Sequence, residues 1–271
     1  MQEEIAVNTN GYVNTKGIAL RSLVDLRDRQ VQKARIQFSN RLSTIERGAD
    51  HVGRDGQTVT LLERYERAFS ELEDQITKDI ERLAKETPAC LLLMTVPGIG
   101  SGLAAKIVAL IGDIGRFATV SKLWRYAGYA CIDGKRETLV RGEPAHFNRR
   151  LKAAAYLAGM SFLRSGSPYA DAYYRFRERY DAQRPEWTPG HRHAAAMRKM
   201  IKLFLSHLWE EWRLLEGLPI RRSYVIDYLG HTTIEQPSSY GWNRSKVEQA
   251  MKRIEKRKER EIAHVSRVPA A

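Results

Sequence analysis

The stretch Val96-Pro97-Gly98-Ile99-Gly100 lies between an apolar run, Leu91 to Met94, and an Ala-rich run, Leu103 to Leu110. Proline ends the first run and removes a backbone donor, while two glycines one residue apart permit a turn too tight for side chains. The segment predicts two helices, 89–96 and 101–112, folded back on each other across a Gly-x-Gly turn. Such a turn leaves the first N–H groups of the second helix without intrahelical partners, and these can bind a phosphate oxygen. Glycine at 98 and at 100 lets a ligand's backbone come close and admits the positive φ angles expected there, with Ile99 anchoring the turn between the helices.

Upstream, residues 1–17 are polar and form a lead-in. Leu20, Val24, Val31, Ala34, Phe38, Leu42 and Ile45 then recur on one helical face, and a Gly-rich break follows. A second seam runs through Leu62, Tyr65, Phe69, Leu72, Ile76, Ile80 and Leu83. Residues 18–87 therefore predict a long antiparallel helical arm, coiled-coil-like and suited to pairing with another copy. Residues 88–218 predict a compact helical domain, with further helices over 119–128, 147–164, 168–182 and 191–216. Residues 219–271 predict an irregular segment and a basic terminal helix. The expected fold class is all-α.

The formal charge of +13 over 271 residues makes a polyanion the expected partner. Nucleic acid ranks ahead of membrane, because no apolar run approaches the roughly 20 residues of a spanning helix. The first residues lack the basic-then-apolar order of a signal peptide, so a soluble, cytoplasmic protein is expected. Cys90 and Cys131 are too few for a disulfide framework and have no CxxC spacing, so each reads as a small buried hydrophobe. His191, His193 and His207 lack metal-ligand spacing, and no metal or cofactor is expected.

Basic residues cluster after the turn, interleaved with Tyr126, Tyr129 and Phe147. The candidate backbone contacts are Gly98, Ile99, Gly100, Ser101 and Lys106 at the turn, Arg116, Lys122 and Arg125 beyond it, and Lys135, Arg136 and Arg141 in the loop 129–146. Arg149, Arg150 and Lys152 on the next helix, with Arg198 and Lys202 further on, complete the set.

"VPGIGSGLAAKIVAL" resembles a helix-hairpin-helix element, which implies a grip on the sugar-phosphate backbone with little base reading. More widely, "PGIGSGLAAKIVALIGDIGRFATVSKLWRYAGY" resembles the C-terminal domain of the IS110/IS116/IS902 transposase family, through Gly112, Asp113, Arg116, Phe117, Leu123, Tyr126, Ala127 and Gly128. Later helices and the arm are also similar, so the resemblance spans about residues 18–215. It implies DNA as ligand, bound largely without sequence preference, work as an oligomer, and structured RNA as a second ligand.

Two departures bear on chemistry. Family members that recombine DNA carry a RuvC-like domain with four metal-binding carboxylates before the arm, and residues 1–17 cannot hold it. The family's serine nucleophile sits in a Ser-Gly pair after Tyr-Ala-Gly, where this chain has Asp133-Gly134. Ser165-Gly166 has the right letters but reads as a helix end. The reading is a DNA-binding protein of this type, acting in recombination or transposition without cutting by itself. The alternatives are an active recombinase using the 129–150 loop, with Asp133, Glu137 and Glu143 as acids, or a partner's catalytic domain, and a structural coiled-coil assembly protein.

Overall fold

The computed structural model describes residues 15–48, 56–132, 135–139, 141–220 and 235–265, divided into two compact units after Ala84. In the first unit, α1 (Thr15–Leu26), a π-helical turn (Arg27–Val31) and α2 (Gln32–Glu46) form one continuous helical run, and α3 (Gly56–Ala84) packs on it. Gln32 and Arg35 bond Glu73 at 2.9 and 2.7 Å, and Phe38 stacks on Phe69 and Tyr65. Rising numbers on α2 meet falling numbers on α3, so the two helices run antiparallel.

The seam differs from its expected form. Ile76 and Ile80 are buried, but Tyr65 and Leu72 are 50% and 46% exposed. The cause is a polar centre: Arg35 draws Glu73 and, at 3.8 Å, Glu66 to the facing surface, which turns Leu72 outward.

The second unit contains α4 (Pro88–Met94), α5 (Ser101–Ile111), α6 (Val120–Tyr126), α7 (Arg149–Ser165), α8 (Pro168–Gln183), α9 (Pro189–Leu215) and α10 (Arg244–Val265). The fold is all-α as expected, with one short hairpin added. Strands β1 (Cys131–Ile132) and β2 (Lys135–Arg136) pair antiparallel, because a loop returning from α6 to α7 satisfies some of its backbone groups across a hairpin. Asp133, Gly134 and the side chain of Lys135 lie outside the described residues. Cys90 is buried as expected, but Cys131 is exposed on β1.

Local signals explain the helix limits. Asn148 Oδ1 accepts from Leu151 N–H at 3.0 Å and Thr188 Oγ1 from His191 N–H at 3.2 Å, which starts α7 and α9. Proline opens α4, α8 and α9. Gly166 is left-handed, with φ 59°, and ends α7 as the Ser165-Gly166 pair suggests.

Helix α9 is the centre of this unit. Met197 and Ile201 press on Gly159 of α7, where an added Cβ would meet them at 3.0 and 3.1 Å. Trp209 Nε1 donates to Phe117 O at 2.7 Å, and the buried Arg213 donates to Pro219 O at 3.0 Å and Phe117 O at 3.2 Å. The Gly-Asp and Arg-Phe motifs of residues 112–117 are thereby fixed to the end of α9. From residue 235 on, Pro237, Tyr240, Trp242 and Val247 are buried as well, so the compact unit extends beyond residue 218.

Candidate nucleic-acid interface

The Gly-x-Gly turn has two faces with different tasks. Gly98 has φ +97°, and a Cβ there would lie 2.6 Å from Ser165 Oγ and 3.3 Å from both the Phe162 ring and Ser161 O. Ser161 Oγ donates to Gly98 O at 2.6 Å. On its other side, Asn243 N–H donates to Thr95 Oγ1 at 3.2 Å, and Gly241 sits against Pro97. Gly98 is therefore an internal packing position, braced by the end of α7 and by residues 241–243. Ile99 is buried between the helices as expected.

Gly100 is different. Its φ of −88° and ψ of 172° are extended backbone open to any residue, which corrects the expectation of positive φ at both glycines. An added Cβ at Gly100 or Gly102 would meet nothing within 4 Å. The first helical bond of α5 is Ala104 N–H to Gly100 O, at 2.9 Å, and no side chain caps the helix. Ser101, Gly102 and Leu103 thus start α5 with their N–H groups ahead of that bond, beside open space, where the helix dipole favours an anion.

A second basic group forms where the loop after α6 meets α7 and α9. Tyr126, Ala127 and Gly128 direct the loop: Gly128 has φ +73° and lies so close to Phe147 that a Cβ would meet its ring at 2.7 Å. Tyr126 OH donates to Leu110 O at 3.1 Å and accepts from Asn148 Nδ2 at 2.9 Å. On this frame, Arg198 Nη2 donates to Ala130 O at 2.6 Å and its guanidinium lies 5.7 Å from the Tyr129 ring. Lys152 Nζ is 4.3 Å from the Phe147 ring, and Lys202 Nζ 4.0 Å from that of Trp124, whose Nε1 donates to Lys202 O. The cations lie over aromatic rings whose faces attract them.

The assembly is electrostatically uncomfortable. Burial pushes the Lys152 ammonium below the usual lysine range, and Arg198 and Arg136 push it further, against the opposing pull of Glu137. Burial does the same to Lys202, with Arg198 and Lys199 adding repulsion. Arg198 Nε and Glu137 Oε2 are buried with no hydrogen-bond partner among the described residues. Burial also raises the Tyr129 phenol.

The structure thus separates the sequence-derived set. Arg136, Lys152, Arg198 and Lys202 come together, joined by Lys199. Gly98, Ile99, Gly100 and Ser101 form the turn, which touches the far end of α7. At about 1.5 Å per residue, Lys152 and Ser165 stand roughly 20 Å apart along that helix. Arg116 is exposed, with its guanidinium 4.6 and 4.3 Å from the Phe117 and Tyr126 rings. Lys122, Arg125, Arg141 and Arg149 are exposed, and Lys106 and Arg150 half-buried. Of the alternative acids, Glu137 is half-buried, Glu143 exposed and Asp133 outside the described residues. Among the described residues, no three His, Cys, Asp or Glu side chains gather as a metal site would require. Nor is any described helix long and apolar enough to cross a membrane. Lys199 belongs to the run of basic residues that the sequence shows on this helix, beside Arg198, but is not in the sequence-derived contact set.

Residues 90–175 match the profile of the Transposase IS116/IS110/IS902 family. A mini-circle protein of Streptomyces coelicolor, described as a candidate transposase for IS117, is 30% identical over 178 residues, covering 64% of this chain and 39% of that protein. An uncharacterized 44.8 kDa protein of insertion element IS116 from Streptomyces clavuligerus is 29% identical over 110 residues, 38% of this chain and 28% of its own length. An uncharacterized 43.6 kDa protein of insertion element IS110 from Streptomyces coelicolor is 28% identical over 144 residues, 52% of this chain and 33% of its own. The chain spans less than two-fifths of the length of these relatives. The matched segment, residues 90–175, holds the turn, the motifs fixed to α9 and the loop with its basic residues, and over that segment the chain is similar to the transposases of the IS116/IS110/IS902 family.

Proposed function

We propose that the protein binds DNA by its backbone, through the open start of α5 at Gly100–Gly102 and through the basic group of Arg136, Lys152, Arg198 and Lys202, and serves DNA recombination or transposition. The observation that carries this reading is the basic group itself. Like charges are held together, partly buried, against their own repulsion, and a polyanion offsets that repulsion. The helix-hairpin-helix likeness of the turn adds a second backbone contact. Arg116, Lys122, Arg125, Lys135, Arg141, Arg149, Arg150 and Lys106 would widen the contact, and structured RNA is a second ligand of the same chemistry.

In this reading the chain holds DNA and does not itself cut it, since Asp133-Gly134 stands where the family's Ser-Gly pair is expected. The helical arm pairs with a second copy, covering the outward Leu61, Tyr65 and Leu72 of α3.

The test is binding to duplex and branched DNA across a salt series. Wild type should bind tightly at low salt and weaken steeply as salt rises. Gly100→Val should weaken binding about tenfold with only a small fall in the unfolding midpoint, because its Cβ projects into open space while valine is the poorer N-cap. Gly98→Val is a poor probe, since it collides with Ser165 and disturbs the fold. Absence of binding to either DNA at low salt overturns the reading.

A further inference from the structure

The corner between α8 and α9 carries aromatic rings that neither the turn nor the basic group uses. Trp187 stacks on Tyr180, with centroids 5.6 Å apart and planes at 27°. His191 lies parallel to Trp187, at 4.0 Å and 7°. The ladder is rigid. Arg184 N–H donates to Tyr180 O at 3.0 Å, Trp187 N–H to Arg184 O at 3.1 Å, and His191 N–H to the Thr188 cap. Tyr180 and Trp187 are half-buried, but His191 is exposed. A ladder built only to close a loop needs no exposed terminal ring.

The surroundings suit an anionic strand. Arg177 and Arg192 both pair with Asp181, at 3.1 and 3.2 Å, and Arg184 faces Glu186 at 3.8 Å, leaving these five side chains with a net positive charge. Gly190, beside His191, has nothing within 4 Å of its Cβ position. His191, Arg198 and Lys202 stand at i, i+7 and i+11, which is one face of α9. Along the helix axis, position 191 therefore lies about 10 Å from position 198 and about 16 Å from position 202.

We propose that the α8–α9 corner is a stacking site for an unpaired base of single-stranded DNA, with His191 as the ring the base lies on and Arg198 and Lys202 as contacts for the strand that leads to it. A flat ring accepts any base, so the site reads strandedness and not sequence. In a duplex the bases are stacked on one another, and none reaches His191. The inference rests on the reading that this protein binds DNA, and it adds a preference for regions where the strands are parted.

The experiment compares binding of the full chain to oligothymidylate and to a duplex of the same length, for wild type, His191→Ala and His191→Phe. His191 is exposed, so losing its contact with Trp187 should lower the unfolding midpoint only slightly, and affinities are corrected for the folded fraction. His191→Ala should lose about tenfold in affinity for the single strand and keep its affinity for the duplex, and His191→Phe should retain both. Equal single-strand affinity in wild type and His191→Ala, with duplex binding intact, overturns the stacking site and leaves the backbone-binding reading standing. An equal loss on both ligands also overturns it, since the residue then serves the general backbone contact. If wild type binds neither ligand at low salt, the backbone-binding reading fails, and this inference fails with it.

Discussion

Two polar clusters lie along α9, and they are built on opposite plans. Toward its C-terminal half, Trp242 Nε1 donates to Tyr169 OH at 2.8 Å, Tyr169 OH bonds His207 Nδ1 at 2.7 Å, and His207 Nε2 bonds Glu235 O at 2.9 Å. With His207 neutral, Tyr169 donates to Nδ1 and Nε2–H donates to the carbonyl, so each group has its partner. Nearer the N-terminal half, Arg198 leaves one buried donor unpaired, and Lys152 and Lys202 crowd it, with Glu137 opposing the repulsion at Lys152. A satisfied network fixes a structure, whereas a half-satisfied cluster with an excess of positive charge keeps polar groups in want of partners. In the proposed reading the first cluster serves folding and the second binding.

The sharpest way to break the comparison is to empty the first cluster. Trp242→Ala removes a ring that is 4% exposed and leaves Tyr169 without its donor, and it should cost about 4 kcal/mol. Urea unfolding measures the loss. DNA affinity, corrected for the folded fraction, should stay at the wild-type value. An equal fall in affinity would mean that the two clusters are not separate in role.

A smaller effect of the same kind is set by pH. Burial pushes His207 down from 6.5 to about 4. Above about pH 6.5 the imidazole is neutral in both states and adds no pH dependence. As pH falls through the window from 6.5 to about 4, the unfolded chain takes up a proton that the folded chain refuses, so stability falls, by about 3 kcal/mol at the lower end. Urea midpoints of wild type and His207→Gln, compared between neutral and mildly acidic pH, isolate this contribution. The variant should be less stable at neutral pH and lose less on acidification.

Much of this was legible in the sequence, and the limits follow from physics. Helices with local signals were read to within a few residues: Thr188-Pro189 opens α9, Gly166 closes α7, and the turn at 97–100 separates α4 from α5. These signals act within one turn of chain, so neighbours in sequence suffice. The division of labour between Gly98 and Gly100 was not legible, because it depends on Ser161, Phe162 and Ser165, more than sixty residues away. The same holds for Glu66 and Glu73, whose partner is Arg35 of the opposite helix. His207 and Trp242 looked unremarkable because each gains its meaning only from Tyr169. The basic group was half legible: charge and aromatic interleaving marked its members, but only the fold joined Lys152 of α7 to Arg198 and Lys202 of α9. It also moved them away from the turn.

The smallest predicted effect sharpens the comparison from the other side. Lys202→Met keeps an unbranched stem over Trp124 and removes a charge whose pKa is lowered first by burial and then by Arg198 and Lys199. A lysine with a depressed folded pKa opposes folding while protonated. The penalty is present at neutral pH and is relieved as pH rises through the depressed pKa toward 10.5. Removing the charge should therefore leave stability at neutral pH unchanged or slightly higher, unlike any truncation in the Tyr169 cluster. If Lys202 contacts one phosphate, the slope of log affinity against log salt should shrink by about 0.9. A salt titration of DNA binding beside a urea curve reads both quantities. Loss of stability with an unchanged slope would place Lys202 with the folding cluster, and the division drawn along α9 would then fall between Arg198 and Lys202 and not between binding and core.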